Sequence, residues 1–232
     1  MPFYRLDPRF PELFPDPQIV NGEGPACFGG DLRPERLFSA YRLGYFPWFA
    51  EGEPILWWHP DPRFVLYPDE LKVSKSMRPY FNQEKYRVTY DQRFRDVMRA
   101  CRNVYRPEQR GSWITDDLIE GYAGLHELGI AHSVEVYEGD DLVGGLYGLA
   151  LGKVFFGESM FFTRPNASKF GFISLVRRLH AHGYRLIDCQ QETNHLKSLG
   201  GRPIPRSAFI DHLAEIDAET TERGSWGVAP AD

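Results

Sequence analysis

The sequence predicts an α+β fold in two parts: a small N-terminal α/β domain over residues 1–62, and a larger C-terminal domain over 63–232 in which helices flank a mixed sheet. Three observations carry this. Leu142 to Leu151 and Val154 to Phe162 are rich in Val, Phe and Tyr at period-two spacing, and Gly152-Lys153 joins them tightly, the pattern of a β-hairpin. From Phe64 onward, short apolar runs alternate with stripes at helical spacing. Between the parts, His59-Pro60-Asp61-Pro62-Arg63 is a stiff connection with two prolines, where a domain boundary belongs. With 232 residues the chain can bury a substantial core, and 15% aromatics with 18 prolines suit ordered loops.

Residues 1–28 are rich in Pro and aromatics, with Phe14-Pro15-Asp16-Pro17 marking an ordered extended turn segment. After the Gly29-Gly30-Asp31-Leu32 turn, Pro34 opens a short helix with Leu37, Phe38 and Tyr41 on one face, and Gly44 stops it. The aromatic block Tyr45-Phe46-Pro47-Trp48-Phe49 follows, and Pro54 to Trp58 is a strand. The second part begins with a strand from Phe64 to Tyr67. Ser74 then caps a helix carrying Lys75, Ser76 and Arg78, and Tyr86 to Tyr90 is another strand. The helix Phe94 to Asn103 turns Phe94, Val97, Met98 and Cys101 inward, leaving Arg93, Arg95, Arg99 and Arg102 outside. A loop through Pro107 and Gly111 delivers Trp113 to a turn. Thr115 caps an acidic-starting helix from Asp116 to Leu128, ended by Gly129, and Ala131 to Tyr137 leads into the hairpin. Beyond it, Asn166 caps a helix from Ala167 to His182 that would roof the hairpin. Gly183 stops that helix, and Tyr184 to Gln190 is a strand. Phe209, Leu213 and Ile216 mark an amphipathic segment, and the final dozen residues read as loosely ordered.

Chemistry concentrates around the hairpin. Simple alternation puts Val154, Phe156, Glu158, Met160 and Phe162 on one face, so one carboxylate sits in an apolar row. Opposite, Gly144, Leu146, Gly148 and Ala150 are small enough to leave a hollow. Asp188 and Gln190 face the same way near a strand end. The structural alternative is that Glu158 meets an internal Arg and Asp188 caps a turn, because buried polar groups are normally satisfied.

Other chemistries find little support. Cys27, Cys101 and Cys189 are odd in number and lack a C-x-x-C pair, the histidines show no metal-ligand spacing, and no phosphate loop or Gly-x-Ser-x-Gly elbow is present; no metal or cofactor is expected. No basic-then-apolar leader or membrane-length apolar run is visible, so a cytoplasmic location is expected. The net charge of −5 argues against a nucleic-acid partner, but Lys72 to Arg110 holds eleven Lys or Arg against four acids. Such a stretch can steer a phosphate backbone or can be a solvated helix face.

Taken in order, Gly29-Gly30-Asp31-Leu32, Tyr41-Arg42-x-Gly44-x-Phe46-Pro47-Trp48-Phe49, Pro54-Ile55-Leu56-Trp57-Trp58, Ala131 to Glu135, Leu142 to Gly148, Phe156-Gly157-Glu158-Ser159-Met160-Phe161 and Leu186-Ile187-Asp188-Cys189-Gln190 resemble the bacterial leucyl/phenylalanyl-tRNA-protein transferase family over nearly the whole chain. That resemblance implies an enzyme moving Leu or Phe from its aminoacyl-tRNA to proteins whose first residue is Arg or Lys, marking them for N-degron proteolysis. It also implies an acetyltransferase-like C-terminal domain. The resemblance casts Glu158 as the contact for the acceptor's basic residue, and Asp188 and Gln190 as the pair activating the attacking amine. Trp48 and Trp113 would hold the terminal adenosine, while Lys75, Arg78 and the following basic helix would meet acceptor-stem phosphates. A hollow lined by Leu146, Met160, Phe172, Leu175, Leu179 and Ile187 would take the aminoacyl side chain, with Met160 adding tolerance of shape. Two other classes fit parts of the sequence. An acyl-CoA-dependent N-acetyltransferase would share the fold, but this sequence lacks the Gln/Arg-x-x-Gly-x-Gly/Ala pyrophosphate loop of such enzymes, and a non-catalytic tRNA-binding module gives no reason for Glu158, Asp188 and Gln190.

Overall fold

The turn at Gly152-Lys153 and the flanking runs of β-branched and aromatic residues form the hairpin that the rest of the molecule packs around. The structure, a computed structural model, describes residues 3–104, 112–216 and 221–227. In chain order the first elements are β1 (Tyr4–Leu6), β2 (Pro25–Gly29), α1 (Pro34–Arg42), β3 (Phe46–Pro47) and β4 (Leu56–Trp58). They are followed by β5 (Arg63–Leu66), α2 (Arg78–Asn82), β6 (Arg87–Tyr90), α3 (Phe94–Arg102) and α4 (Asp116–Glu127). The remainder are β7 (Ala131–Glu138), β8 (Asp141–Leu151), β9 (Val154–Phe162), α5 (Ala167–Ala181), β10 (Leu186–Gln190), α6 (Asn194–Ser198), β11 (Arg202–Ile204) and α7 (Arg206–Ala214). The fold is α+β. One sheet, ordered β1-β2-β4-β3, lies wholly before residue 62, and a mixed seven-stranded sheet, ordered β11-β5-β10-β9-β8-β7-β6, lies wholly after it.

Helix α5 covers one face of the larger sheet and α3 with α4 cover the other. One apolar cluster runs from the small sheet into the α3/α4 side, taking in Leu37, Tyr41 and Trp57 together with Val97, Leu118 and Phe156. Helix α1 approaches α4 closely at Gly121, where a Cβ would lie 2.1 Å from the Leu32 carbonyl oxygen. The second cluster, under α5, includes Phe155, Phe172, Leu175, Leu179 and Ile187.

Several local expectations change. On either side of the Phe14–Pro17 turn segment, the first 29 residues also hold two strands not expected from the sequence, β1 and β2, pairing in parallel. Ser74 begins a 3₁₀ turn at Lys75–Met77 rather than a helix, because Pro79 delays α-helical bonding to α2, and its hydroxyl bonds Ser76 instead of a backbone N–H. Asn166 does not cap α5: it is left-handed (φ 64°) and its amide donates to the Tyr80 hydroxyl at 3.0 Å. Thr115 does cap α4, accepting the Leu118 N–H at 3.2 Å. The loop through Pro107 and Gly111 lies outside the described residues. Part of the last dozen residues is anchored: the Trp226 ring stacks on buried His132 at 3.8 Å, and the Trp226 backbone N–H donates to Asp91 Oδ2 at 2.6 Å. The gain from covering two aromatic faces outweighs the tendency of a chain end to fray. No helix among the described residues is long and apolar enough to cross a membrane.

Candidate active site

The hairpin's alternation breaks once, and that break builds the site. Tyr147 lies opposite Ser159 but Gly148 lies opposite Gly157, so Glu158 is an extra residue on β9. A one-residue bulge reverses which face later residues occupy. Phe156 therefore joins the α3/α4 cluster while Met160 lies against the α5 cluster, and the five residues from Val154 to Phe162 do not share a face. The hollow also shifts. A Cβ on Gly144 would meet Ala167 at 2.8 Å, and one on Gly148 would meet the Phe155 ring at 2.6 Å, so α5 and Phe155 fill that space.

Open space lies further along, where β9 and β10 part. These strands are parallel and paired only from Leu186 opposite Val154 to Asp188 opposite Phe156. Beyond that point, residues 157–160 of β9 and 187–190 of β10 line a cavity of about 560 Å³, a volume suited to a small-molecule-sized group. Its lining includes Phe46, Trp48 and Trp113, which pack with the first apolar cluster, and Leu146, Met160, Phe172 and Ile187, which pack with the second. Ser168 and Phe172, one turn apart on α5, reach the cavity. Leu175 and Leu179 do not: they are fully buried in the core under α5. At 1.5 Å of rise per residue, Leu179 lies about 10 Å along the helix from Phe172.

Glu158 is half-buried at the cavity wall. Its Oε2 accepts the Tyr122 hydroxyl proton at 2.9 Å, and its Oε1 accepts from Gln190 Nε2 at 2.6 Å. The Tyr41 hydroxyl, from α1, contacts that of Tyr122. Burial pushes the Glu158 carboxyl up to about 7, against the hydrogen bonds of Tyr41, Tyr122 and Gln190, which pull it down; the Asp188 charge adds to the rise. Burial and the Glu158 charge hold both tyrosines well above the ordinary phenol range, so they remain donors.

Asp188 is fully buried and bound by both oxygens to Arg63, Nε to Oδ1 at 2.8 Å and Nη2 to Oδ2 at 2.6 Å. Its Oδ1 also accepts the Gln190 N–H at 3.0 Å, closing an Asx turn. Thus Asp188, not Glu158, meets the internal arginine, and it caps a turn as well. Gln190 is left-handed (φ 62°), and the Gln191 N–H donates to the Cys189 carbonyl at 2.6 Å across it. Such a conformation costs a non-glycine residue on the order of 1–3 kcal/mol and persists where its surroundings dictate it. With Nε2 committed to Glu158, Gln190 Oε1 accepts no hydrogen bond from the described residues and is left for a ligand donor.

The structure thus brings Glu158, Asp188, Gln190, Leu146, Met160, Phe172, Ile187, Trp48 and Trp113 to one cavity. Lys75 and Arg78 are exposed, away from its lining. Arg93, at the N-cap of α3, and the arginines of that helix form exposed ion pairs: Arg93 and Arg99 pair with Asp96, Arg95 with Glu120, and Arg102 with Asp116. These pairs lie on the solvated face of α3, with the acids at the start of α4 beside it. Arg63, Tyr41 and Tyr122 were not legible as site residues. The tyrosines lie on ordinary helical core stripes, and Arg63 ends a proline-rich connection.

The family model described as leucyl/phenylalanyl-tRNA protein transferase matches residues 65–214, and the model of that family's N-terminal domain matches residues 30–61. The chain is 50% identical over 226 residues to the leucyl/phenylalanyl-tRNA–protein transferase of Myxococcus xanthus, covering 97% of each chain. It is 53% identical over 210 residues to that of Stutzerimonas stutzeri, covering 90% of this chain and 92% of the relative. Among solved structures it is similar to L-PGS from Bacillus licheniformis, with TM-score 0.39 and 11% identity over 70% of this chain and 50% of that one. A GCN5-related N-acetyltransferase from Kribbella flavida gives TM-score 0.35 and 9% identity over 72% and 59%. On the sequence matches, spanning nearly its full length, the chain belongs to the leucyl/phenylalanyl-tRNA–protein transferase family, a family of aminoacyltransferases.

Proposed function

We propose that the protein moves Leu or Phe, and also Met, from aminoacyl-tRNA to the α-amino group of proteins beginning with Arg or Lys, by direct aminolysis of the tRNA ester. The products are marked for N-degron proteolysis in the cytoplasm. One observation carries this reading. Glu158 and Gln190, hydrogen-bonded to each other, line a single cavity together with Leu146, Met160, Phe172, Ile187, Trp48 and Trp113.

The terminal adenosine rests against Trp48 and Trp113, where stacking contributes about 1–3 kcal/mol per base. The donor side chain lies against Leu146, Met160, Phe172 and Ile187, a burial favourable by roughly 1.5–3 kcal/mol for Leu or Phe. Lys75 and Arg78, which have no ion-pair partner among the described residues, contact phosphates of the acceptor stem. Glu158 takes the cationic side chain of the acceptor, whose charge draws off the carboxyl proton. Gln190 Oε1 accepts a hydrogen bond from the acceptor's α-amino group and aims its lone pair at the ester carbonyl. That nitrogen needs no strong base, because an α-amino group with pKa about 7.7–8.0 is already partly neutral at pH 7. The C–N bond forms, the bond from the carbonyl carbon to the ribose oxygen breaks, and the proton shed by nitrogen ends on that oxygen. Asp188 holds Gln190 and touches neither substrate. Juxtaposition of ester and amine supplies most of the acceleration.

Incubation with radiolabelled leucyl-tRNA and peptides differing only in their first residue tests this. Label should pass to peptides beginning with Arg or Lys and not to one beginning with Glu. Transfer to neither, or acetylation of the same peptides from acetyl-CoA instead, would overturn the reading.

A further inference from the structure

We propose that Arg63 is a positioning residue for transfer, holding through Asp188 the strained turn that aims the Gln190 amide. The inference rests on Gln190 orienting the attacking amine, and its test separates the two. Arg63 is absent from the cavity lining and fully buried, so it touches no substrate. Its guanidinium is fixed on every side that matters for aim. The Phe46 and Phe209 rings cover its faces, with centroids 4.8 and 4.5 Å from Cζ, and two of its nitrogens grip the two oxygens of Asp188.

What Asp188 does with that rigidity is specific. Strand β10 has a register shift against β5 between Asp188, opposite Val65, and Gln190, opposite Phe64, so Cys189 is an extra residue and Gln190 ends the ladder just past the bulge. Its N–H is bound by Asp188 Oδ1. That bond, with the Gln191-to-Cys189 bond across the residue, holds Gln190 left-handed, a conformation that needs support from outside the turn. From it, Nε2 reaches Glu158 at 2.6 Å, and Gln190 lines the cavity with its Oε1 unclaimed by any described residue. A planar, two-pronged guanidinium fixes the direction of a carboxylate as an ammonium cannot.

A role in stability alone accounts poorly for the pair. Arg63 Nη1 is buried with no hydrogen-bond partner, and apolar residues of similar volume would serve a core at least as well. The pair also sits where β9 and β10 stop pairing and the cavity opens.

Single-turnover transfer from leucyl-tRNA to a peptide beginning with Arg, with donor and acceptor KM and thermal stability recorded beside it, reads this out in Arg63→Lys, Gln190→Ala and the double variant. The expected result for Arg63→Lys is a roughly tenfold or larger fall in rate, with both KM values within about twofold of wild type and no further fall on adding it to Gln190→Ala. Losses that multiply in the double variant, or an unchanged rate in Arg63→Lys, overturn the role of Arg63 while leaving that of Gln190 standing. An unchanged rate in Gln190→Ala overturns the reading of Gln190, and with it this inference. If Arg63→Lys does not fold, the pair is replaced whole by Arg63→Met with Asp188→Leu, which removes both buried charges. That variant should be folded and slow; folded and fully active, it refutes the proposal.

Discussion

At Glu158 the recognition proposed for the acceptor would fall on a carboxyl with an unusual proton affinity. Burial raises it to about 7, so near neutrality the free protein holds it partly protonated. A cationic acceptor side chain favours the ionised form. Acceptor binding should therefore release a proton and strengthen as pH rises toward and through 7, levelling off above. The KM for a peptide beginning with Arg, measured from pH 5.5 to 8.5, should fall by up to about tenfold per unit on the acid side. In Glu158→Gln that slope should vanish and KM should be high throughout. Tyr122→Phe removes a hydrogen bond that lowers the same pKa, so the midpoint should move up. Asp188 belongs to the same scale with a different consequence. Asp188→Asn should bind leucyl-tRNA normally and transfer slowly. It should also lose about 3–5 kcal/mol of stability, because Arg63 is left buried without its counter-charge. Filter binding, single-turnover kinetics and urea titration check the three parts.

The elements show why some of this was readable in advance. Strands β8 and β9, helix α5 and strand β10 follow from period-two and helical spacing, and the hairpin turn from Gly152-Lys153. The bulge at Glu158 left no such mark, because residues on both sides of it continue an apolar alternation and only the pairing with Gly148 reveals the extra residue. The same blind spot gave Leu175 and Leu179 to the pocket: a stripe on a helix says which face is inward, not how far a cavity extends along it. Those residues offer a discriminating pair of changes. Phe172→Ala, at the cavity, should alter the ratio of Leu to Phe transfer, whereas Leu175→Ala should cost roughly 2–5 kcal/mol of stability and leave that ratio unchanged. Competition between the two charged tRNAs, with thermal unfolding alongside, separates them. Gly148→Ala is a third, since its Cβ would fall 2.1 Å from the Phe156 carbonyl oxygen and force the strands apart at the bulge. It should destabilise by about 1–3 kcal/mol.

Across the whole molecule, the site is assembled from residues far apart in the chain. Arg63 and Asp188 are separated by 125 positions and Tyr41 and Tyr122 by 81, separations at which local sequence pattern carries no information about contact. Trp48 and Tyr41 come from the part before residue 62 and Glu158, Trp113 and Gln190 from the part after it, with the shared core between the two sheets holding them together. Crystals grown with an aminoacyl-adenosine analogue, its ester replaced by a non-transferable amide, give the most direct test of this arrangement. The expected density has the adenine against Trp48 and Trp113, the leucyl side chain among Leu146, Met160, Phe172 and Ile187, and the carbonyl beside the Gln190 amide. An analogue bound elsewhere, or bound here with its carbonyl remote from Gln190 and Glu158, would contradict it.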